Sequence, residues 1–202
     1  MGLLDGELSD RGRDDGGQPR RFHLGQLREN PRQGIWRHDG RFRLRLLIGI
    51  NYYSEHAVEF DRDSPERFRF APSWQATTDM GWEVVPEGLY RMIMAIAKRW
   101  PVKKLYVTEN GATYPDTVES SGRVRDVERI AYLRSHIAAC RRAVAEGAPL
   151  KGYYVWSLMD NFEWSFGYTK RFGLVHVDPR TGKRLPKDSY WFYRDVVAGN
   201  EP

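Results

Sequence analysis

The chain has 202 residues, 41% of them hydrophobic and 13% aromatic, which is enough to bury a core of its own, and no apolar run is long enough to span a bilayer as a helix. Its single cysteine, Cys140, excludes an internal disulfide, and without a second Cys it gives no reason to expect a metal site. The net charge of +5 is concentrated at the start: residues 1–45 hold ten Arg and no Lys against seven acidic residues, a surplus of +3, so the rest of the chain is nearly balanced.

In chain order, residues 1–44 come first as an Arg-, Gly- and Asp-rich leader. From Ser9 to Gly34 the sizeable apolar residues are Phe22, Leu24 and Leu27, without helical or strand periodicity, so the leader is expected to be disordered. Acidic residues stand among its arginines and no aromatic platform accompanies them, which argues against a nucleic-acid-binding arm. The start, MGLLDGELSD, has no basic region followed by an apolar core, so a cytoplasmic protein is expected.

Residues 45–202 have the texture of a folded domain. LRLLIGINYYS, from Leu44, is a continuous apolar run of the kind a strand buried on both faces shows, and it ends in Asn51, Tyr52 and Tyr53. Glu55 to Thr78 looks like a polar connection. A helix is then predicted from Pro86 to the stop at Pro101, with Leu89, Met92, Ile93, Ile96 and Trp100 on its apolar face. The next strand, Leu105 to Gly111, ends in a carboxylate, Glu109, followed by what looks like a turn pair, Asn110-Gly111. A second helix is predicted over about Asp126 to Glu146, with Ile130, Leu133, Ile137 and Val144 inward and Gly147 as terminator. A strand over Gly152 to Ser157 follows, and then a helix over roughly Lys187 to Ala198 that presents Tyr190, Trp191, Tyr193 and Val197.

Strand and helix thus alternate three times, and buried-type strands in that order call for an α/β fold with parallel strands joined by right-handed crossovers. Three such units are too few to close a barrel of eight strands. The chain is therefore either an open sheet or the last part of a larger barrel. A carboxylate at the carboxyl end of a buried strand is costly without a partner or a task, and that end is where barrel enzymes place their catalytic groups. Glu109 is the first candidate for chemistry on those grounds.

Four segments, NYYS at Asn51, MGWEVVPEGLY at Met80, TENG at Thr108 and WSLMDNFEWSFGYTKRFGLVHVD at Trp156, resemble in order and spacing the carboxyl-terminal portion of glycoside hydrolase family 1, the β-glucosidase family. The resemblance covers about Leu46 to Gly199 and leaves out the leader. It implies strands six to eight of a (β/α)8 TIM barrel and a retaining hydrolysis of β-D-glycosidic bonds. Glu109 matches the nucleophile that forms a covalent glycosyl-enzyme, Tyr53 the phenol that orients it, and Asn51 a neighbouring contact. Trp156 matches a stacking surface for the sugar, Glu163 and Trp164 the pair that grips its outer hydroxyls, Phe172 an aromatic wall, and Trp82 the platform for the leaving group.

The family's general acid lies in an Asn-Glu-Pro motif on an earlier strand, and here those letters occur only as Asn200-Glu201-Pro202, after the last helix. The resemblance therefore implies an incomplete barrel, with the acid/base group supplied by an amino-terminal half. It implies a β-glucoside or related oligosaccharide as partner, and neither a metal nor an organic cofactor. The other reading is a carbohydrate-binding chain of the same fold without turnover.

Overall fold

A computed structural model describes residues 46–200, so the expected disorder of the leader, 1–44, lies outside the described residues. The elements are strands β1 (Leu46–Asn51), β2 (Val58–Phe60), β3 (Phe68–Phe70), β4 (Val102–Asn110), β5 (Leu150–Val155), β6 (Val175–Val177) and β7 (Arg184–Pro186), with helices α1 (Pro86–Arg99), α2 (Val127–Ala145) and α3 (Asp188–Ala198). The expected alternation is present: β1, β4 and β5 form a parallel sheet in that order, with α1 and α2 as the two crossovers.

Strand order that follows chain order is the progression of a singly wound sheet, and the side chains agree. Ile50, Leu105, Val107 and Tyr153 on one face of the sheet share a continuous core with Leu89 and Ile93 of α1, Leu133 and Ile137 of α2, and Phe192 and Val196 of α3. Leu47, Gly49, Asn51, Lys104 and Thr108, at alternate positions on the other face, are exposed. Parallel sheets are normally covered on both faces. Helices on one side only are the arrangement of a barrel wall rather than of a doubly wound sheet.

Local chemistry explains the boundaries. Pro86 opens α1, where its missing N–H costs nothing, Lys98 and Arg99 sit in the last turn near the negative end of the helix dipole, and Pro101 follows the cap. After α2, Gly147 adopts a left-handed φ of 94° that other residues resist. Cys140 lies in the core, and burial pushes its thiol up to about 12, so it stays protonated at neutral pH.

Several expectations need correction. Glu55 to Thr78 is not without regular structure, since β2 and β3 form an antiparallel hairpin there, and β6 and β7 form a second hairpin. Asn110 and Gly111 are not a turn pair: Asn110 is the last residue of β4 and fully buried. The expected inward face of α2, Ile130, Leu133, Ile137 and Val144, does pack on the core, whereas the faces expected for α1 and α3 are rotated slightly. Met92, Trp100, Trp191 and Val197 are exposed, and α3 turns Ser189, Phe192 and Val196 inward. The third strand starts two residues earlier than expected, at Leu150, and ends at Val155.

Candidate active site

The site is built where the three parallel strands end. Asn51 closes β1 and pairs in register with Glu109, the penultimate residue of β4, while Trp156 directly follows β5. Two residues beyond β1, the Tyr53 hydroxyl donates to Glu109 Oε2 at 2.7 Å. Burial, and then the hydrogen bond and charge of Glu109, push the Tyr53 phenol well above its ordinary range, so it remains a donor at any working pH. On the other side of Asn51, the Thr108 hydroxyl donates to Asn51 Oδ1 at 2.7 Å.

Tyr53 is fixed by aromatic neighbours. Trp82 packs edge-on with ring centroids 5.5 Å apart, and Phe172 does the same at 5.9 Å. Trp82 and Phe172 also touch each other, at 6.2 Å. Phe172 is only 2% exposed, so it backs Tyr53 and Trp82 and offers almost no surface to a ligand. Trp82 is half-buried and retains an open side.

The loop after β5 brings a second carboxylate toward the first. The Trp156 indole donates to Glu163, and the Glu163 carboxyl is raised above its ordinary range by burial and by the nearby Glu109 charge, with the indole hydrogen bond acting in the opposite direction. Trp164 opens the 3-10 turn Trp164–Phe166 at a left-handed φ of 44° and is 83% exposed. Asn51, Tyr53, Trp82, Glu109, Trp156 and Glu163 thus lie together at the strand ends, with Phe172 behind Tyr53 and Trp82, while Trp164 is exposed to solvent. Among the described residues no cluster of three or more His, Cys, Asp or Glu is placed to hold a metal ion, and no helix is long and apolar enough to cross a membrane.

The sequence model of glycosyl hydrolase family 1 matches residues 46–202. Over 154 residues the chain is 50% identical to β-glucosidase A of Thermotoga maritima, an alignment that takes in 76% of this chain and 34% of that one. The chain belongs to glycosyl hydrolase family 1. A solved family 1 β-glucosidase from Thermotoga maritima superposes with a TM-score of 0.75 at 49% identity, covering 77% of this chain and 35% of its own. A 6-phospho-β-galactosidase of Streptococcus equi subsp. zooepidemicus is 48% identical over 122 residues, 60% of this chain and 26% of that protein. The chain spans about a third of the length of the curated relatives it matches.

Two groups that hold these strand ends together were missed from the sequence. Buried Asn110 donates from Nδ2 to the Tyr52 carbonyl at 2.7 Å and to the Tyr132 hydroxyl at 2.9 Å, and its Oδ1 accepts from the Tyr153 hydroxyl. One amide side chain therefore locks β1, β5 and α2 to the residue after Glu109. The second group is a set of buried charges, Asp116, Asp126, Arg129, Asp160 and Lys187, behind the loops. A signal for Arg129 existed, because it shares the helical spacing of Tyr132, Leu133 and His136, the inward face of α2.

Gly111 is required by close approach: a Cβ there would stand 1.9 Å from the Trp156 carbonyl oxygen. That oxygen belongs to backbone which cannot swing aside. Gly111→Ala is therefore expected to cost about 1–3 kcal/mol by overpacking and to spread the ends of β4 and β5. A melting curve indistinguishable from that of the parent chain would contradict this.

Proposed function

We propose that residues 46–202 are the last three strand-helix units of a (β/α)8 barrel, strands six to eight, and carry the nucleophile half of a retaining β-glycosidase site acting on β-D-glucosides. The observation that carries the reading is the Tyr53–Glu109 hydrogen bond at the strand ends, inside an aromatic cluster open on one side. It fits a carboxylate that must stay correctly aimed while it attacks an anomeric carbon.

In this reading a Glu109 oxygen forms a bond to C1 as the C1–oxygen bond to the leaving group breaks, giving a glycosyl ester. Trp156 stacks on the pyranose, Glu163 accepts from two neighbouring hydroxyls, and Trp164 donates once a sugar draws it over the opening. Asn51 contacts the sugar beside the nucleophile, Trp82 faces the leaving group, and Phe172 serves as the wall through Tyr53 and Trp82. The retaining mechanism needs a second carboxyl about 5 Å from the first to protonate the departing oxygen and later activate water. That group is assigned to an amino-terminal part of the barrel, which would cover the bare face of the sheet.

A dinitrophenyl β-D-glucoside tests this, because dinitrophenolate departs without a proton. The chain should release one equivalent in a burst and then stall, since no base activates water. Azide needs no base to displace Glu109 from C1, so it should restore turnover and yield the β-glucosyl azide after two inversions. Sugar binding with no burst, with or without azide, would overturn the proposal in favour of a binding chain without turnover.

Glu163 also sets specificity in this reading. A carboxylate facing the sugar's outer hydroxyls repels a phosphate, and like charges so placed cost several kcal/mol. The 6-phospho aryl glucoside is accordingly expected to react at least about tenfold more slowly than the plain one. Equal rates would contradict the assignment. The pH dependence has a definite sign. The ionised Glu163 accepts from two hydroxyls at once, whereas the protonated carboxyl loses its charge and one acceptor oxygen. Burial with the Glu109 charge has raised its pKa, so affinity for a neutral glucose analogue should fall on acidification sooner than an ordinary carboxylate would allow. Stability moves the other way at this group, rising as pH falls through the raised pKa. Glu163→Gln should flatten the binding profile, as titration calorimetry would show.

A further inference from the structure

The loop that carries Glu163 runs from Ser157 to Gly173, and its base is zipped by Leu174 N to the Ser157 carbonyl at 2.9 Å and Asp160 N to the Val175 carbonyl at 2.9 Å. Asp160, in that base, is nearly buried and accepts from Gly173 N at 2.9 Å, from Val177 N at 3.3 Å and from Arg171 Nη1 at 3.4 Å. It also meets Lys187 Nζ at 2.9 Å, at the start of α3, and His176 Nδ1 stands 3.7 Å from its Oδ2. Lys187 is fully buried and pairs also with Asp116, in the loop that follows β4 and Glu109. Asp116 in turn accepts both Nη atoms of Arg129, at 3.0 and 3.1 Å. Arg129 closes the circuit, donating to the Ala112 carbonyl at 3.2 Å, three residues after Glu109, and to the Arg171 carbonyl at 2.8 Å, at the far end of the Glu163 loop.

This chain of buried charges touches neither Glu109 nor Glu163, yet it connects the loop that follows β4 and Glu109 with the loop that holds Glu163. Buried ion pairs are poor sources of net stability compared with apolar packing, and their best-attested use is to specify one arrangement. A loop with several exposed aromatic residues, Phe162, Trp164, Phe166 and Tyr168, has little apolar burial to fix it otherwise. We infer that Asp160, Lys187, Asp116 and Arg129 are positioning residues that fix where Glu163 and Trp156 stand relative to Glu109. The inference rests on the roles of Glu109 and Glu163 proposed above, and its consequence is that breaking the chain at Asp160 loosens the grip on the sugar while leaving the nucleophile in place.

Two variants separate position from stability. Asp160→Asn keeps the shape and removes the charge while Lys187 retains Asp116, and the double variant Asp160→Asn with Lys187→Met also removes the cation that bridges the two loops, so the melting temperature of each measures what the network adds to stability apart from position. Inactivation by 2,4-dinitrophenyl 2-deoxy-2-fluoro-β-D-glucoside gives a binding constant, expressed as the dissociation constant of the inactivator, and a limiting rate. Both variants should raise the binding constant about tenfold to a hundredfold, the range a misplacement of roughly 1 Å can produce, with the limiting rate little changed. An unchanged binding constant beside a lowered melting temperature would reduce the network to structural support and overturn the inference. Equal loss in both constants would place its effect on Glu109 and overturn it as well.

A second readout does not depend on chemistry. The Trp156 indole proton, assigned by Trp156→Phe, should follow the ionisation of Glu163 in a proton–nitrogen correlation spectrum of the parent chain and lose that dependence in both variants. If the parent chain fails to react but this titration is present and lost as described, the function proposed for Glu109 fails while the positioning network stands. If the titration survives unchanged in the variants, the network does not position Glu163.

Discussion

Glu109→Gln is expected to lower the burst rate with dinitrophenyl β-D-glucoside by at least about 10⁴-fold, the scale on which removing a reacting group is felt. The geometry makes the substitution a clean one. The amide oxygen of Gln can still accept from the Tyr53 hydroxyl, which lies 2.7 Å from Glu109 Oε2, so the strand end and the aromatic cluster should hold. What disappears is the anionic oxygen that bonds to C1. The melting temperature should therefore stay close to that of the parent while the chemistry stops. Tyr53→Phe gives the graded companion. It leaves the ring packed on Trp82 and Phe172 and removes one charge-assisted hydrogen bond of about 1.5–3 kcal/mol, so a slowing of roughly ten- to a hundredfold is expected. Rapid-quench measurement of dinitrophenolate release checks both, and a Glu109→Gln chain that retains its burst would contradict the assignment.

Arg129→Met should have the largest effect on stability. Arg129 is 1% exposed and binds Asp116, Asp126 and the carbonyls of Ala112 and Arg171. Methionine fills much of its volume but leaves the two carboxylates short of their counter-charge. Asp126 would keep the backbone N–H and hydroxyl of Ser189, and Asp116 would keep Lys187. Truncating one partner of a buried pair typically costs about 3–5 kcal/mol, which for a domain of this size is a drop of roughly 6–20 °C in melting temperature. Arg129→Lys should fall between, because a single ammonium cannot span two carboxylates and two carbonyls as a guanidinium fork does. A shift of less than about 2 °C for Arg129→Met would contradict this account of what joins the loops.

The elements most legible in the sequence were those fixed by local chemistry. β4 shows as an apolar run that stops at Glu109, α1 is bracketed by Pro86 and Pro101, and Gly147 marks the end of α2, because each signal lies within a few residues of what it controls. The hairpins were not legible: Val58–Phe60 and Phe68–Phe70 are three residues each, too short to show alternation inside a polar stretch. Asn110 was misleading for a physical reason, since Asn-Gly is a strong turn signal and only the burial of Asn110 against Tyr52, Tyr132 and Tyr153 overrides it.

Nor could the charge network be seen. Asp116 and Lys187 stand 71 positions apart, and a charged residue in a sequence looks solvated until its partner is known. Within the site, the pairing of Tyr53 with Glu109 across 56 positions was expected from the family resemblance rather than from either segment alone. The same resemblance did not indicate that Phe172 lies almost wholly behind its neighbours.

The most direct test of the central claim is intact-protein mass spectrometry after incubation with 2,4-dinitrophenyl 2-deoxy-2-fluoro-β-D-glucoside. The fluorine slows formation and hydrolysis of the glycosyl ester, and the dinitrophenyl group restores formation without any acid, so the ester accumulates. The account predicts a gain of one fluoroglucosyl unit, mapping to the peptide that contains Glu109 and absent from Glu109→Gln. No gain on a chain that melts cooperatively, or a gain on another peptide, would contradict it.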